Sequence, residues 1–520
     1  MAITVAPTRA EADTRPLVLA AIAAGVAWLA VIVFWSDAPF ALTFDDAWYY
    51  GEIGRNLAHG HGSTFDTINA TNGYHPAWQA VCVLPRLVGL EGTGAMRAQL
   101  AIALACWIGA VVLVVRRVRR PSPVLAAAVV LFAANPFVLR CVGSGLESGL
   151  VVLVGALLLT RAGELDLDDP DPTGRRRFGA LLALAFLART DAALLTLICA
   201  AWVVPDARRL GVDGLRRLVQ LVAAPAITAV VYMAANLVAF GRLMQISGDI
   251  KRVDPTPALA VAVLIVAALA GLVGRQLRRL CPSERFGRLT GFLAATGWYV
   301  PFCIGLVGYY VLLSAQQWLW YFAPLVLYAL ALLVHGGADL LDGAATEGRS
   351  SLRAVQAILL LPLLGGFLFL TLQFLDPHLR SIQEANRDAG RWTSANLPEA
   401  AVVASWDAGV LGAFTDQPVV NLDGVVNSGK FADAIAAGRG GAFLRAEGVT
   451  HIANHGDVID GDDPLARQLV DEIFGPGTGA AMEIVHTQPF LYSGSTTRGG
   501  SGLRELAVFV YQLPEDRSAG

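Results

Sequence analysis

Long runs of apolar residues, separated by short arginine-rich stretches, fill the first three quarters of the chain. A run of about 20 apolar residues can cross the hydrocarbon core of a bilayer. From about residue 376 these runs end and shorter alternating segments follow. We therefore predict a polytopic α-helical membrane protein with about 11 transmembrane helices in residues 1–375, and an exported C-terminal α/β domain in residues 376–520. The predicted helices lie near 17–36, 98–115, 122–139, 146–161, 178–188, 192–205, 217–239, 257–274, 290–313, 321–335 and 354–374.

Composition agrees with a membrane protein and excludes other classes. The 520 residues have a mean hydropathy of +0.55 and are only 16% charged, which is too apolar for an ordinary soluble enzyme. The net charge of -3, without a basic stripe interleaved with aromatic residues, argues against nucleic acid as a partner. No CxxC spacing occurs, so we expect the cysteines to be buried apolar residues. They are Cys82, Cys106, Cys141, Cys199, Cys281 and Cys303.

Arginines predict the orientation, because cytoplasmic loops of membrane proteins are rich in Lys and Arg. Placing the arginine runs inside puts the N-terminus in the cytoplasm and the C-terminal domain outside. The segment 76–90 is apolar but short and contains Pro85 and Arg86, so we interpret it as juxtamembrane or re-entrant. The runs are 116–120, 175–177, 208–217 and 275–285.

Two adjacent carboxylates, Asp45 and Asp46, directly follow the first apolar stretch. Acidic residues at a membrane boundary are costly to place and therefore suggest a function. They also suit the N-terminus of the amphipathic helix that the pattern predicts here. Either carboxylate could remove a proton from a hydroxyl as a general base.

The first predicted external loop continues to a turn at Asn72-Gly73. Tyr74 and His75 follow, and we expect His75 to face the same vestibule as the aspartates and position a substrate. Trp78 is expected at the membrane interface as an aromatic anchor. Glu147, in the second external loop, either stabilises a helix N-terminus or helps to position an acceptor.

Basic residues on the predicted outer side suggest an anionic partner. Lys251 and Arg252 run against the positive-inside trend, which favours a phosphate, although solvated interfacial charge explains them nearly as well. Arg189 and Asp191 separate two short predicted helices. They either neutralise each other or line a cavity for a charged head group, and the residues leave both readings open.

The C-terminal part has the alternation of a small α/β domain. Strands are predicted at 401–405, 419–422 and 450–453, with a helix at 431–447. Asp407 and Asp423 follow strand ends, where α/β sites form, although an Asp-Gly turn accounts equally well for Asp423.

The order of these features resembles the GT-C superfamily of integral-membrane glycosyltransferases, over roughly residues 15–375. The resemblance rests on the acidic pair and on the segments 71–76 (TNGYHP), 144–147 (SGLE) and 188–191 (ARTD). Bacterial protein-mannosyltransferase-like and arabinofuranosyltransferase-like members are similar at these places. The resemblance implies a polyprenyl-phosphate sugar donor, an inverting displacement, and a general base at Asp45 or Asp46.

The resulting hypothesis is that the chain is a glycosyltransferase in a bacterial-type plasma membrane. It would transfer a sugar to an envelope glycan, lipid or protein. Lys251, Arg252 and Arg189 would hold the donor phosphate, while Tyr74, His75, Glu147 and Asp191 would position substrates. No ligand set demands a cofactor, and a divalent cation at the carboxylates stays open. A polytopic transporter or flippase, with charges relaying ions, is the main alternative, and a non-catalytic envelope scaffold is another.

Overall fold

The computed structural model describes residues 14–118, 122–253, 256–279, 286–379, 381–493 and 503–514. Arg119, Arg120, Cys281 and Arg285, which entered the sequence-based predictions, lie outside these ranges.

The first three quarters of the chain are helical, as the apolar runs predict. Several helices begin with a proline preceded by a polar residue whose side chain accepts an N–H of the first turn, as Ser122, Asn135 and Thr256 do. The helices are α1 Arg15–Phe34, α2 Ala38–Leu42, α3 Asp45–Ala58, α4 Pro76–Leu87, α5 Gly92–Val115, α6 Pro123–Ala133, α7 Pro136–Val142, α8 Ser148–Thr160, α9 Pro172–Ala188, α10 Ala193–Phe240, α11 Ile246–Ile250, α12 Pro257–Arg278, α13 Gly287–Thr296, α14 Tyr299–Leu313, α15 Ala323–Glu347 and α16 Arg349–Phe374.

Within the described ranges, 6 helices are long and apolar enough to cross a membrane, or up to 8 when each bent pair counts as one span. The bent pairs are α6 with α7, at 59°, and α13 with α14, at 63°. The long α10 is interrupted at Gly211, whose φ of 62° and ψ of -130° are not helical. This interruption falls between the two helices predicted at 192–205 and 217–239. The predicted count of eleven crossings stays a prediction.

The segment 76–90 forms one helix, α4, of 12 residues with Pro85 inside it. At 1.5 Å per residue it is about 18 Å long, shorter than a bilayer core. The expected interfacial position of Trp78 is wrong. Its side chain is fully buried and its Nε1 donates to the Gly145 carbonyl at 3.0 Å, because α4 packs inward against the loop before α8.

The C-terminal part contains a five-stranded sheet in the order β2-β1-β3-β5-β4. β1 is parallel to β2 and β3, whereas β5 is antiparallel to β3 and β4. The helix predicted at 431–447 is two helices, separated at Gly438, whose φ is 66°. The elements are α17 Ser381–Asn396, β1 Val402–Ser405, α18 Ala408–Ala413, β2 Val419–Asn421, α19 Gly429–Ala436, α20 Gly440–Ala446, β3 Val449–Asp457, α21 Pro464–Phe474, α22 Thr478–Ala481, β4 Glu483–Ser493 and β5 Leu503–Gln512.

Alternate side chains of the sheet enter two different cores, as the two-residue period of a strand requires. Val403 and Val510 point to the side that packs against α3 and the loop after it, where Tyr49 and Phe65 join them. The opposite face packs against α19, α20 and α21. The sheet therefore shares a hydrophobic core with the first loop of the helical part.

The turn at Gly73 makes a close backbone contact with the C-terminal part, because a Cβ there would lie 1.8 Å from the Val425 carbonyl oxygen. We expect Gly73→Ala to push the two parts of the chain apart and to destabilise the protein by about 1–3 kcal/mol. The measurement is the midpoint of thermal unfolding of the purified protein in detergent. Gly343→Ala is the control: a Cβ there meets nothing within 4 Å, so this helical substitution should be neutral or stabilising. Equal midpoints for the two variants would contradict the close contact.

Candidate active site

A cavity of about 1010 Å³ lies where α3, the loop before α4, and helices α10, α12 and α14 meet. One end is polar, and it holds most of the charged residues singled out from the sequence. The rest of the lining is mainly apolar and follows one face of α12, from Val263 through Ala267 and Ala270 to Gly274, with Arg275 directly after it. These positions span about 16 Å of helix. The cavity thus joins a charged chamber to a long apolar groove. The charged lining residues are Asp46, Glu147, Arg189, Asp191, Asp249, Lys251, Arg252 and Arg275, with His75 beside them.

Asp45 does not line this cavity. Its carboxylate is buried and accepts two backbone N–H groups of α18, from Gly409 and Val410, each at 2.8 Å. The approach requires glycine at 409, since a Cβ there would lie 2.3 Å from the Asp45 carbonyl oxygen. Burial, together with the nearby Asp407 charge, raises the pKa of Asp45 to about 8, although the two N–H donors oppose the rise. Asp45 therefore joins the helical part to the C-terminal part.

Asp46 points into the cavity instead, because consecutive residues of a helix project about 100° apart. Its Oδ2 lies 3.8 Å from Lys251 Nζ. Burial raises the pKa of Asp46 above its usual value, while Lys251 acts in the opposite direction. A carboxylate with a raised pKa is a stronger base near neutral pH than an ordinary aspartate.

Lys251 and Arg252 sit at the rim of the polar chamber, directly after α11. Backbone hydrogen bonds connect this segment to the end of α14, from Val253 N to Leu313 O at 3.2 Å and from Ala315 N to Lys251 O at 2.9 Å. Lys251 Nζ also lies 3.2 Å from the Tyr321 hydroxyl oxygen. Although burial acts the other way, Asp46 raises the pKa of Lys251, so the ammonium stays charged.

Arg189 lies deeper in the cavity with its donors already engaged. It contacts Glu147 at 2.5 Å and Asp191 at 2.8 Å, and it donates to the Tyr310 hydroxyl. Its guanidinium also lies 4.6 Å from the centre of the Tyr321 ring. Arg189 and Asp191 neutralise each other and also line the cavity, while a charged head group in that cavity stays a prediction.

His75 connects this ion cluster to the first loop. Its Nε2 lies 3.8 Å from Glu147, and its Nδ1 accepts the Thr190 N–H at 3.4 Å. Burial lowers the pKa of His75, which favours the neutral ring, with Glu147 opposing that shift. Tyr74 lines the cavity too, and its hydroxyl is hydrogen-bonded to Ser63 at 2.7 Å.

The C-terminal part adds two carboxylates beside the chamber, Asp407 and Asp423. The sequence indicated only that each follows the end of a strand. Asp407 pairs with His455 Nδ1 at 2.8 Å, and Asp423 accepts the Val425 N–H at 2.9 Å, as an Asp-Gly turn requires. Burial raises the pKa of Asp423 to about 7; the Val425 N–H opposes this rise and Asp46 adds to it. Among the described residues, no three His, Cys, Asp or Glu side chains are grouped so as to hold a metal ion, so we assign no metal ligands.

Sequence reasoning did not identify Gln245, Tyr321, Val425 or Val426 as lining residues. Gln245 lies six residues before Lys251, and Tyr321 stands at the start of the helix predicted at 321–335. No local signal marks the two valines, which come from a distant part of the chain.

Comparisons with known proteins give a family match for one segment of the chain and similar solved structures for most of its length. Residues 377–480 match the model of a domain of unknown function (DUF8728). No curated protein matches the chain.

Solved structures similar to this chain include the oligosaccharyltransferase AglB from Archaeoglobus fulgidus, in complex with an inhibitory peptide and a dolichol-phosphate. It is 12% identical, with a TM-score of 0.48, and the match covers 87% of this chain and 72% of AglB. ArnT from Cupriavidus metallidurans is 14% identical at a TM-score of 0.47, covering 94% and 98% of the two chains. The mycobacterial arabinofuranosyltransferase AftD is 14% identical at 0.44, covering 96% of this chain and 42% of AftD.

The buried position of Asp45 makes stability depend on pH. Its pKa of about 8, against a usual 3.8, means that the folded protein holds a proton that the unfolded chain releases between those values. Stability should therefore fall as the pH rises from about 4 to about 8, and level off above that. In Asp45→Asn this fall should be smaller. The variant should also lose about 1–3 kcal/mol, because an amide NH2 cannot accept an N–H.

Thermal unfolding midpoints of wild type and Asp45→Asn between pH 5 and pH 9 test this expectation. Asp416→Asn, at an exposed position of the C-terminal part, is the control and should follow wild type. An Asp45→Asn profile that is identical to wild type would show that Asp45 does not join the two parts.

Proposed function

We propose that this chain is a membrane glycosyltransferase that transfers a sugar from a polyprenyl-phosphate donor to a hydroxyl acceptor. The observation that supports it best is the shape of the cavity, in which a charged chamber continues into an apolar groove. A polyprenyl-phosphate sugar has the same division, with a polar head on an apolar tail. Small residues such as Gly271 and Gly274 leave the groove open for the tail.

The proposed reaction is a single displacement. Asp46 removes the proton of the acceptor hydroxyl as its oxygen bonds to the anomeric carbon, while the bond from that carbon to the phosphate oxygen breaks. The polyprenyl phosphate leaves with the electron pair, and the anomeric centre is inverted. Lys251 and Arg252 stabilise the charge that develops on the phosphate. Arg189, already neutralised, would order the wall together with Glu147 and Asp191.

In this proposal, residues 1–375 form the catalytic helical part and residues 376–520 form an exported part. With the N-terminus in the cytoplasm, the charged chamber opens on the outer face of a bacterial-type plasma membrane. Acceptors there are envelope glycans, lipids or proteins. Since Val425 and Val426 line the cavity, the exported part would contribute a wall of the acceptor path.

Asp46→Asn should reduce sugar transfer by about 10²–10⁴-fold, because the amide cannot act as a general base. The assay is transfer from synthetic polyprenyl-phosphate sugars by the purified protein, with thermal unfolding as a check of folding. Asp213→Asn, at an exposed position on α10, is the control and should keep full activity. Transfer that survives in a folded Asp46→Asn variant would refute the base. Absence of transfer from every donor with wild type would favour a transporter.

Lys251 is one of only two lysines in the chain, which provides a matched control. Lys251→Met should weaken binding of polyprenyl phosphate by about 10- to 100-fold, because a charge-assisted contact is lost. It should also move the acidic, rising limb of the pH–rate profile to higher pH, because Lys251 lowers the pKa of Asp46 and the base must be deprotonated to act. Lys430→Met, on α19, should change neither quantity. Unchanged donor affinity in Lys251→Met would remove Lys251 from the phosphate site.

A further inference from the structure

Gln245, between α10 and α11, is a polar residue in the wall of the cavity. The residue is 8% exposed and lines the same space as Asp46 and Lys251. Its side-chain Oε1 is buried and has no hydrogen-bond partner among the residues that the structure describes. A buried carbonyl oxygen without a donor is destabilising, and such groups in native proteins call for an explanation.

The backbone on both sides of Gln245 is held by one side chain. Asn72 donates to the Met244 carbonyl at 3.0 Å, and its own oxygen accepts the Ile246 N–H at 3.1 Å. Asn72 is itself buried and donates to Asn236 of α10 at 2.8 Å. Gln245 therefore stands on a fixed backbone in the wall of the cavity.

The chemistry of the proposed donor decides what can satisfy Oε1. A polyprenyl tail has no hydrogen-bond donor, and an ionised phosphate has only acceptors. The sugar is the part of the donor with hydroxyl groups. Gln245 precedes α11 and Lys251 follows it, six residues later, so the two backbone positions are about 9 Å apart along the axis of this short helix. A sugar ring joined to its phosphate has a similar length.

We propose that Gln245 binds a hydroxyl of the transferred sugar and thereby contributes to the choice of sugar, with Asn72 as a positioning residue. This inference rests on the proposed function, because it places the phosphate at Lys251. The hydroxyl donates to Oε1, and no covalent step involves Gln245.

The test measures binding of farnesyl phosphate and of its mannosyl, glucosyl and arabinofuranosyl esters to the purified protein. We expect at least one ester to bind wild type tenfold or more tightly than farnesyl phosphate does. Gln245→Met, of similar length but without an acceptor, should lose that gain and keep the affinity for farnesyl phosphate. Gln245→Glu, which keeps an acceptor oxygen, should restore part of the gain. Gln468→Met, at an exposed helix position, is the control and should behave as wild type.

Each contrary outcome has a separate meaning. If farnesyl phosphate itself does not bind wild type, the proposed function fails and this inference fails with it. Two outcomes would contradict the role of Gln245 and leave the proposed donor site intact. One is that farnesyl phosphate binds but no sugar ester binds more tightly. The other is that a folded Gln245→Met variant still binds the ester more tightly than farnesyl phosphate.

Discussion

The buried contact between Asp45 and the first turn of α18 is the interaction on which the candidate site depends. Two N–H groups converge on one carboxylate, and Gly409 permits the approach because it has no Cβ. Tyr49, one turn further along α3, extends the junction to the carbonyl of Trp406 at 3.3 Å. The junction brings the sheet against the first loop, so that a wall from the C-terminal part can close the cavity. It also separates the adjacent aspartates into two roles, one at the junction and one in the cavity.

The basic residues of the chamber differ in how fully their charges are paired. Arg189 is surrounded by Glu147, Asp191 and two tyrosines, so its charge is satisfied inside the protein. Lys251, by contrast, has a carboxylate at 3.8 Å and a hydroxyl at 3.2 Å, and it stands at the rim. In the proposed function, the less crowded side of the chamber, at Lys251, would hold the donor phosphate beside Asp46.

Local patterns predicted most of the secondary structure. The long apolar runs and the parallel strands β1 and β2 follow from residue periodicity and turn residues, which depend on near neighbours. Predictions that depended on distant contacts were less successful. The position of Trp78 was wrong because a carbonyl of the loop before α8 satisfies its indole. The apolar periodicity of residues 431–447 predicted one helix. Gly438, whose φ is positive, divides this segment into two helices.

By itself, the sequence determined that the chain is an apolar multi-helix protein with a small α/β part, and that its unusual charges gather in a few loops. Composition and periodicity are properties of the chain, and they require no knowledge of what packs against what. Only the tertiary structure decided that Asp45 is enclosed and Asp46 open to the cavity, and that the Oε1 of Gln245 has no hydrogen-bond partner among the described residues. The enclosure of Asp45 arises from its contact with α18, which is far away in the chain and has no trace in the local pattern.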